Sequence, residues 1–139
     1  MTGEATSVTD RNVTTRNHDS RPLTDLQQAI LDLIWSRGSA TAEQVRSALN
    51  AKFPLSDSSV RTLLRRLEVR GYLTHHLDGK IFVYEAAVPA QRVAAGAVRQ
   101  IIKRFWAGSA EQFLAGMVDE KVLSAEEIRK LARRVKKGT

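Results

Sequence analysis

The sequence predicts a mainly α chain with one small β-hairpin: a compact domain of three helices and the hairpin, then three more helices in a C-terminal region. Three observations carry this expectation. Apolar residues recur at helical spacing in six separate stretches. One Asp-Gly pair, Asp78-Gly79, stands between two runs rich in aromatic and β-branched residues, a strong signal for a two-residue hairpin turn. Glycine or proline sits near the element boundaries, at Gly38, Gly71, Pro89 and Gly108. A chain of 139 residues has room for one compact domain with an added arm.

The first 21 residues, Met1 to Arg21, are mostly Thr, Ser, Asn, Asp and Arg, with Val8 and Val13 as the only branched aliphatics. So little apolar surface does not offset the entropy of ordering, and a disordered tail is expected. Helix 1 starts at Thr24, whose spacing to Gln27 forms a capping box, and runs to about Ser36. Leu26, Ile30, Leu33 and Ile34 form its core stripe, with Trp35 as a core anchor beside them. A second capping box, Thr41 with Gln44, opens helix 2, with Val45, Ala48 and Leu49 facing inward.

The third helix is the best defined. Val60, Leu63, Leu64 and Leu67 recur at i, i+3, i+4 and i+7, so one face is buried. Ser56 caps its start, and Arg70-Gly71 closes it in the left-handed conformation that ends many helices. Its length is about 21 Å, which suits a major groove. Ser58, Thr62 and Arg65 lie opposite the apolar stripe, with Arg61 and Arg66 on the flanks. The strands Tyr72 to Leu77 and Lys80 to Glu85 follow. Three helices and a basic-tipped hairpin in this order make a winged helix-turn-helix, residues 22–88.

After Pro89 a long helix is expected to about Trp106, with Val93, Ala94, Ala97, Val98, Ile101, Ile102, Phe105 and Trp106 forming a stripe too wide for a lone solvated helix. Ser109 with Gln112 opens the next helix, carrying Phe113, Leu114, Met117 and Val118. Leu123, Ser124, Glu127 and Ile128 combine a capping box with a hydrophobic staple, leading to a helix that buries Ile128, Leu131, Ala132 and Val135. Three amphipathic helices of this size do not make a large core alone. Residues 89–139 therefore read as a dimerisation region, with Val98, Ile101, Ile102, Phe105, Phe113, Leu114, Met117, Ile128 and Leu131 meeting a second copy.

Charge points to a polyanionic partner. Lys and Arg number 22 against 15 Asp and Glu, a formal net charge of +7. Base readout is expected from Ser58, Ser59, Arg61, Thr62 and Arg65, because an arginine grips guanine bidentately and a threonine methyl meets a thymine methyl. Phosphate and wing contacts are expected from Thr41, Arg66, Arg70, His75 and Lys80. The partner is then double-stranded DNA. A protein-interaction module and an RNA-binding protein are the alternatives, opposed by the arginine-rich face and by the absence of aromatics on it.

Other chemistries find little support. The chain has no cysteine, so disulfides and thiolate metal sites are excluded. His75 and His76 are adjacent in a strand and point to opposite faces, which disfavours a shared metal ion. No catalytic triad, phosphate loop or carboxylate pair is legible, so neither an enzyme nor a cofactor is expected. No apolar run approaches a membrane span or a signal-peptide core, and the expected location is the cytoplasm.

The motifs LTDLQQAILDLIW at Leu23 to Trp35, SSVRTLLRRLEVRGYL at Ser58 to Leu73 and DGKIFVY at Asp78 to Tyr84 resemble the penicillinase-repressor (BlaI/MecI) family of bacterial transcriptional regulators. The resemblance extends through GSAEQFL at Gly108 to Leu114 and LSAEEI at Leu123 to Ile128. It implies a dimeric repressor on a pseudo-palindromic operator, with DNA contacts from the start and outer face of the third helix. Family members controlling β-lactam resistance are cleaved at an Asn-Phe bond in the second C-terminal helix, where this chain has Gly116-Met117. A copper-responsive branch carries cysteine pairs that this chain lacks. An upstream protease and a small-molecule inducer both stay open as the signal.

Overall fold

A computed structural model describes residues 18–138; the expected tail therefore lies outside the described residues up to position 17. The elements run α1 Asp25–Arg37, β1 Ser39–Thr41, α2 Ala42–Leu49, α3 Asp57–Val69, β2 Leu73–Asp78, β3 Ile81–Ala86, α4 Ala90–Trp106, α5 Ala110–Asp119 and α6 Ala125–Gly138. This is a winged helix-turn-helix followed by a helical region. The described residues divide into two compact units, one up to Ala97 and one from Val98 onward.

In the first unit, local signals and tertiary burial agree. The Thr24 hydroxyl oxygen accepts a hydrogen bond from the Gln27 amide at 3.1 Å while the Gln27 side-chain oxygen accepts one from the Thr24 amide at 3.0 Å, so two orphan donors of α1 are satisfied at once. Ile30, Leu31 and Ile34 of α1 meet Val45 of α2 and Val60, Leu64 and Leu67 of α3 in one buried core. Leu31 replaces the expected Leu33, which is half-buried, and Ala48 is exposed instead of facing inward. Trp35 packs at the core edge and its indole N–H donates to the Val88 carbonyl at 3.0 Å. Burial of each large aliphatic side chain is worth about 1.5–3 kcal/mol.

Helix α3 ends as a Schellman turn. Gly71 has φ +88°, and the Tyr72 amide reaches back to the Leu67 carbonyl at 2.9 Å while Gly71 bonds to Glu68 at 3.0 Å. The positive φ is what requires glycine here.

The sheet holds a strand that the sequence pattern concealed. Ser39–Thr41 pairs antiparallel with β3, giving the order β1-β3-β2. Three residues between a helix stop and a helix cap carry no alternation, so only pairing with β3 makes them a strand. The hairpin turn is also displaced by one residue. Asp78 pairs with Ile81, so Gly79 and Lys80 form the loop, and of these only Gly79 has positive φ, at +64°. Positive φ at the first loop position alone fits a type II′ turn, so the loop is Gly79-Lys80 where Asp78-Gly79 was expected.

In the second unit, Trp106 stacks edge-on against Phe113 with centroids 5.4 Å apart. Ser109 caps α5 by accepting from the Gln112 amide, and Ser124 and Glu127 form a reciprocal capping box at the start of α6. Helix α5 ends on Lys121 at φ +63°, with Val122 bonded to Met117 at 2.8 Å and Lys121 to Val118 at 3.0 Å. That is a Schellman turn without its usual glycine. None of the residues of α5 or α6 is buried; Phe113, Met117 and Ile128 are half-buried, and Leu131 and Val135 are more than half exposed.

Candidate nucleic-acid interface

The outer face of α3 is open along its length. Ser58, Ser59, Arg61, Thr62, Arg65 and Arg66 are all exposed, while Val60, Leu64 and Leu67 on the opposite side are sealed in the core. Ser56 anchors the start of this face, accepting from the Ser59 amide at 3.1 Å and donating to the Ser59 hydroxyl at 2.9 Å. Ser59 is thus part of the cap, which fixes its side chain. One turn further on, Arg61 Nε lies 3.0 Å from Asp57 Oδ2.

Between α3, the start of α2 and the wing lies a cleft of about 640 Å³, and it gathers several of the expected contact residues. Thr41, Arg61, Arg65 and Lys80 line it together with Arg46, Ile81 and Phe82. Thr41 is committed to its helix cap, accepting from the Gln44 amide at 3.2 Å, so it presents the amino-terminal end of α2 to the cleft. Arg46 was not legible as a site residue. Its Nε donates to the Leu55 carbonyl at 3.0 Å, which turns the guanidinium towards α3, and only the α2–α3 packing reveals that. Ile81 and Phe82 are 59% and 45% exposed on the wing, an apolar surface beside the basic one.

Two expected contacts are placed otherwise. Arg70 is turned inward with its side chain only 14% exposed. Its guanidinium donates to the carbonyls of Asp19 at 3.2 Å and Arg21 at 2.6 Å, and lies over the Tyr72 ring at 5.2 Å. It is a structural arginine, because the chain ahead of α1 crosses the end of α3 and offers it carbonyl oxygens. His75 likewise does not stand free. Its Nδ1 is 2.8 Å from the Glu68 carboxylate and its ring stacks on Phe82 at 4.2 Å, nearly parallel. His76 points the other way, to Glu85 at 3.0 Å, as strand alternation requires.

Burial pushes the Tyr84 phenol up, with the Glu68 carboxylate adding to this and Arg65 and Arg61 opposing it, so the ring stays neutral at physiological pH. Among the described residues no group of three or more His, Asp or Glu side chains is placed to hold a metal ion. None of their helices is long and apolar enough to cross a membrane.

Comparison with known proteins places this architecture. The family model of the penicillinase repressor matches residues 23–137. The chain belongs to the penicillinase repressor family. As a member it is a transcriptional repressor and not an enzyme. It is 26% identical over 109 residues to the penicillinase repressor of Bacillus licheniformis, covering 78% of this chain and 85% of that one. It is 24% identical over 102 residues to the methicillin resistance regulatory protein MecI of Staphylococcus aureus strain N315, covering 73% and 83% of the two chains. Among solved structures it resembles the DNA binding domain of the repressor BlaI, at 28% identity and a TM-score of 0.45 over 49% of this chain and 83% of that one. The Bacillus licheniformis BlaI monomeric form in complex with the blaP half-operator aligns at 27% identity and a TM-score of 0.44, over 51% of this chain and 87% of that one.

Proposed function

We propose that this repressor works in the cytoplasm as a homodimer on a pseudo-palindromic DNA operator. Each copy lays α3 in the major groove of one half-site. Ser58, Arg61, Thr62 and Arg65 reach base edges, Ser59 sets the helix start, and Arg66 with Lys80 of the wing grips phosphates. The observation that carries this reading is the open, cationic outer face of α3, with no acidic side chain among its exposed residues beyond Asp57. Arginine, serine and threonine on such a face match the hydrogen-bonding edges of the major groove.

Pairing of two copies is supported by the second unit. Ile101 is 44% exposed, Phe105 67%, Leu114 39% and Leu131 54%, an apolar surface that one chain leaves in water. A two-fold dimer hides the same patch on both copies and sets two recognition helices one helical turn of DNA, or a multiple of it, apart.

Selection of genomic DNA fragments by the purified protein, followed by sequencing, tests the reading. A two-fold symmetric motif upstream of a few genes is the expected result. Unselective recovery, together with sedimentation as a monomer at micromolar concentration, would refute it.

A further inference from the structure

The segment just ahead of α1 lies outside the family match, which begins at Leu23, yet it is bound tightly into the first unit. The Asp19 amide donates to the Arg70 carbonyl at 2.8 Å, and the Asp19 carbonyl accepts from both the Tyr72 hydroxyl and the Arg70 guanidinium. Arg70 also reaches Gln27 of the α1 capping box at 3.4 Å. The far side of the segment meets α4. A Cβ on Gly96 would lie 3.2 Å from the His18 ring and 3.8 Å from Ser20. Glycine in a helix interior costs about 1 kcal/mol relative to alanine, so its use at a buried position of α4 answers to this close approach.

We propose that residues 18–21 are a positioning strap that ties the first half of α4 to the end of the recognition helix, with Arg70 and Gly96 as its two anchors. Helix α4 is continuous from Ala90 to Trp106, so its first half, held by the strap, leads into the stretch that carries Val98, Ile101 and Phe105. Fixing that first half restrains the stretch of chain that joins the recognition helix to the apolar residues beyond Ala97. The second half-site is then met at a high effective concentration. The proposal rests on the two-half-site reading above. Arg70 and Gly96 are positioning residues; neither touches DNA.

Two full-length variants test it, Arg70→Met and Gly96→Leu. The second raises helix propensity while pushing the strap away, so any loosening of α4 is not a consequence of a weaker helix. The probes are the selected duplex, its isolated half-site, and versions with one base pair added or removed between half-sites. In both variants we expect half-site affinity within about twofold of the parent, full-site affinity reduced about tenfold, and the penalty for altered spacing largely lost. Amide exchange across residues 90–97 should quicken about tenfold while α1 and α3 stay protected. Unchanged exchange and affinity, or equal loss on half and full sites, would overturn the strap. If the parent protein does not distinguish full from half-site, the pairing reading fails instead, and the exchange measurement alone decides the strap.

Discussion

Asp57 and Arg61 sit one turn apart on α3 with 3.0 Å between carboxylate and guanidinium, and both side chains are more than half exposed. An ion pair so open to water is worth little, within about 0.5 kcal/mol, and its geometry yields readily to a better partner. The carboxylate lies beside Arg61 at the first turn of the helix. Asp57→Asn should therefore leave stability within about 0.5 kcal/mol of the parent, strengthen binding to random duplex by removing a negative charge, and reduce discrimination between operator and random DNA. Titrations against both duplexes at matched salt check this.

Arg65 lies at the centre of the open face and lines the cleft. Arg65→Ala should cost about 1–3 kcal/mol on the specific site and much less on random duplex, as expected of a base contact. Equal losses on the two would make it a phosphate contact. Arg70→Met gives the contrast, because its guanidinium is spent on Asp19 and Arg21 and half-site binding should barely change.

The strap should answer to acid. Hydrogen bonds from the Arg21 side chain and backbone hold the Asp19 carboxyl at about 2, well below its ordinary 3.8. A carboxyl depressed in the folded state favours that state at pH above 3.8, and the contribution disappears as pH falls towards 2. The Asp19–Arg21 pair, followed by the exchange, relative to α1, of the Arg21 amide that donates to the Asp19 carboxylate, should thus weaken across that window. In Asp19→Asn the same window should be flat.

Close packing in the second unit gives a stability test. A Cβ added to Gly116 would sit 3.1 Å from the Trp106 ring, which is already wedged against Phe113. Gly116→Val should destabilise this unit by about 1–3 kcal/mol, read by denaturant melting of Trp106 fluorescence, while the winged helix keeps its own transition. A neutral substitution would show that the α4–α5 turn gives way easily.

Leu131→Asp places a charge on an exposed apolar position of α6. The expected outcome is sedimentation as a monomer at micromolar concentration with an unchanged helical signal, since Leu131 is more than half exposed in one chain. Persistence of a dimer would move the pairing surface away from α6.

The sequence by itself determined the helices, their caps and the open face of α3. Those features are local: Thr24 with Gln27, Thr41 with Gln44 and the Val60, Leu64, Leu67 stripe are set by spacing along one chain segment. Only the tertiary structure decided what depends on residues far apart. Ser39–Thr41 is a strand because β3 pairs with it, and the hairpin loop sits at Gly79-Lys80 because Asp78 pairs with Ile81. Arg70 turns inward because Asp19 and Arg21, about fifty residues earlier, bring carbonyl oxygens to it. A guanidinium has the same charge in either role, so its sequence position alone does not say whether it faces phosphate or backbone; the nearest acceptors decide.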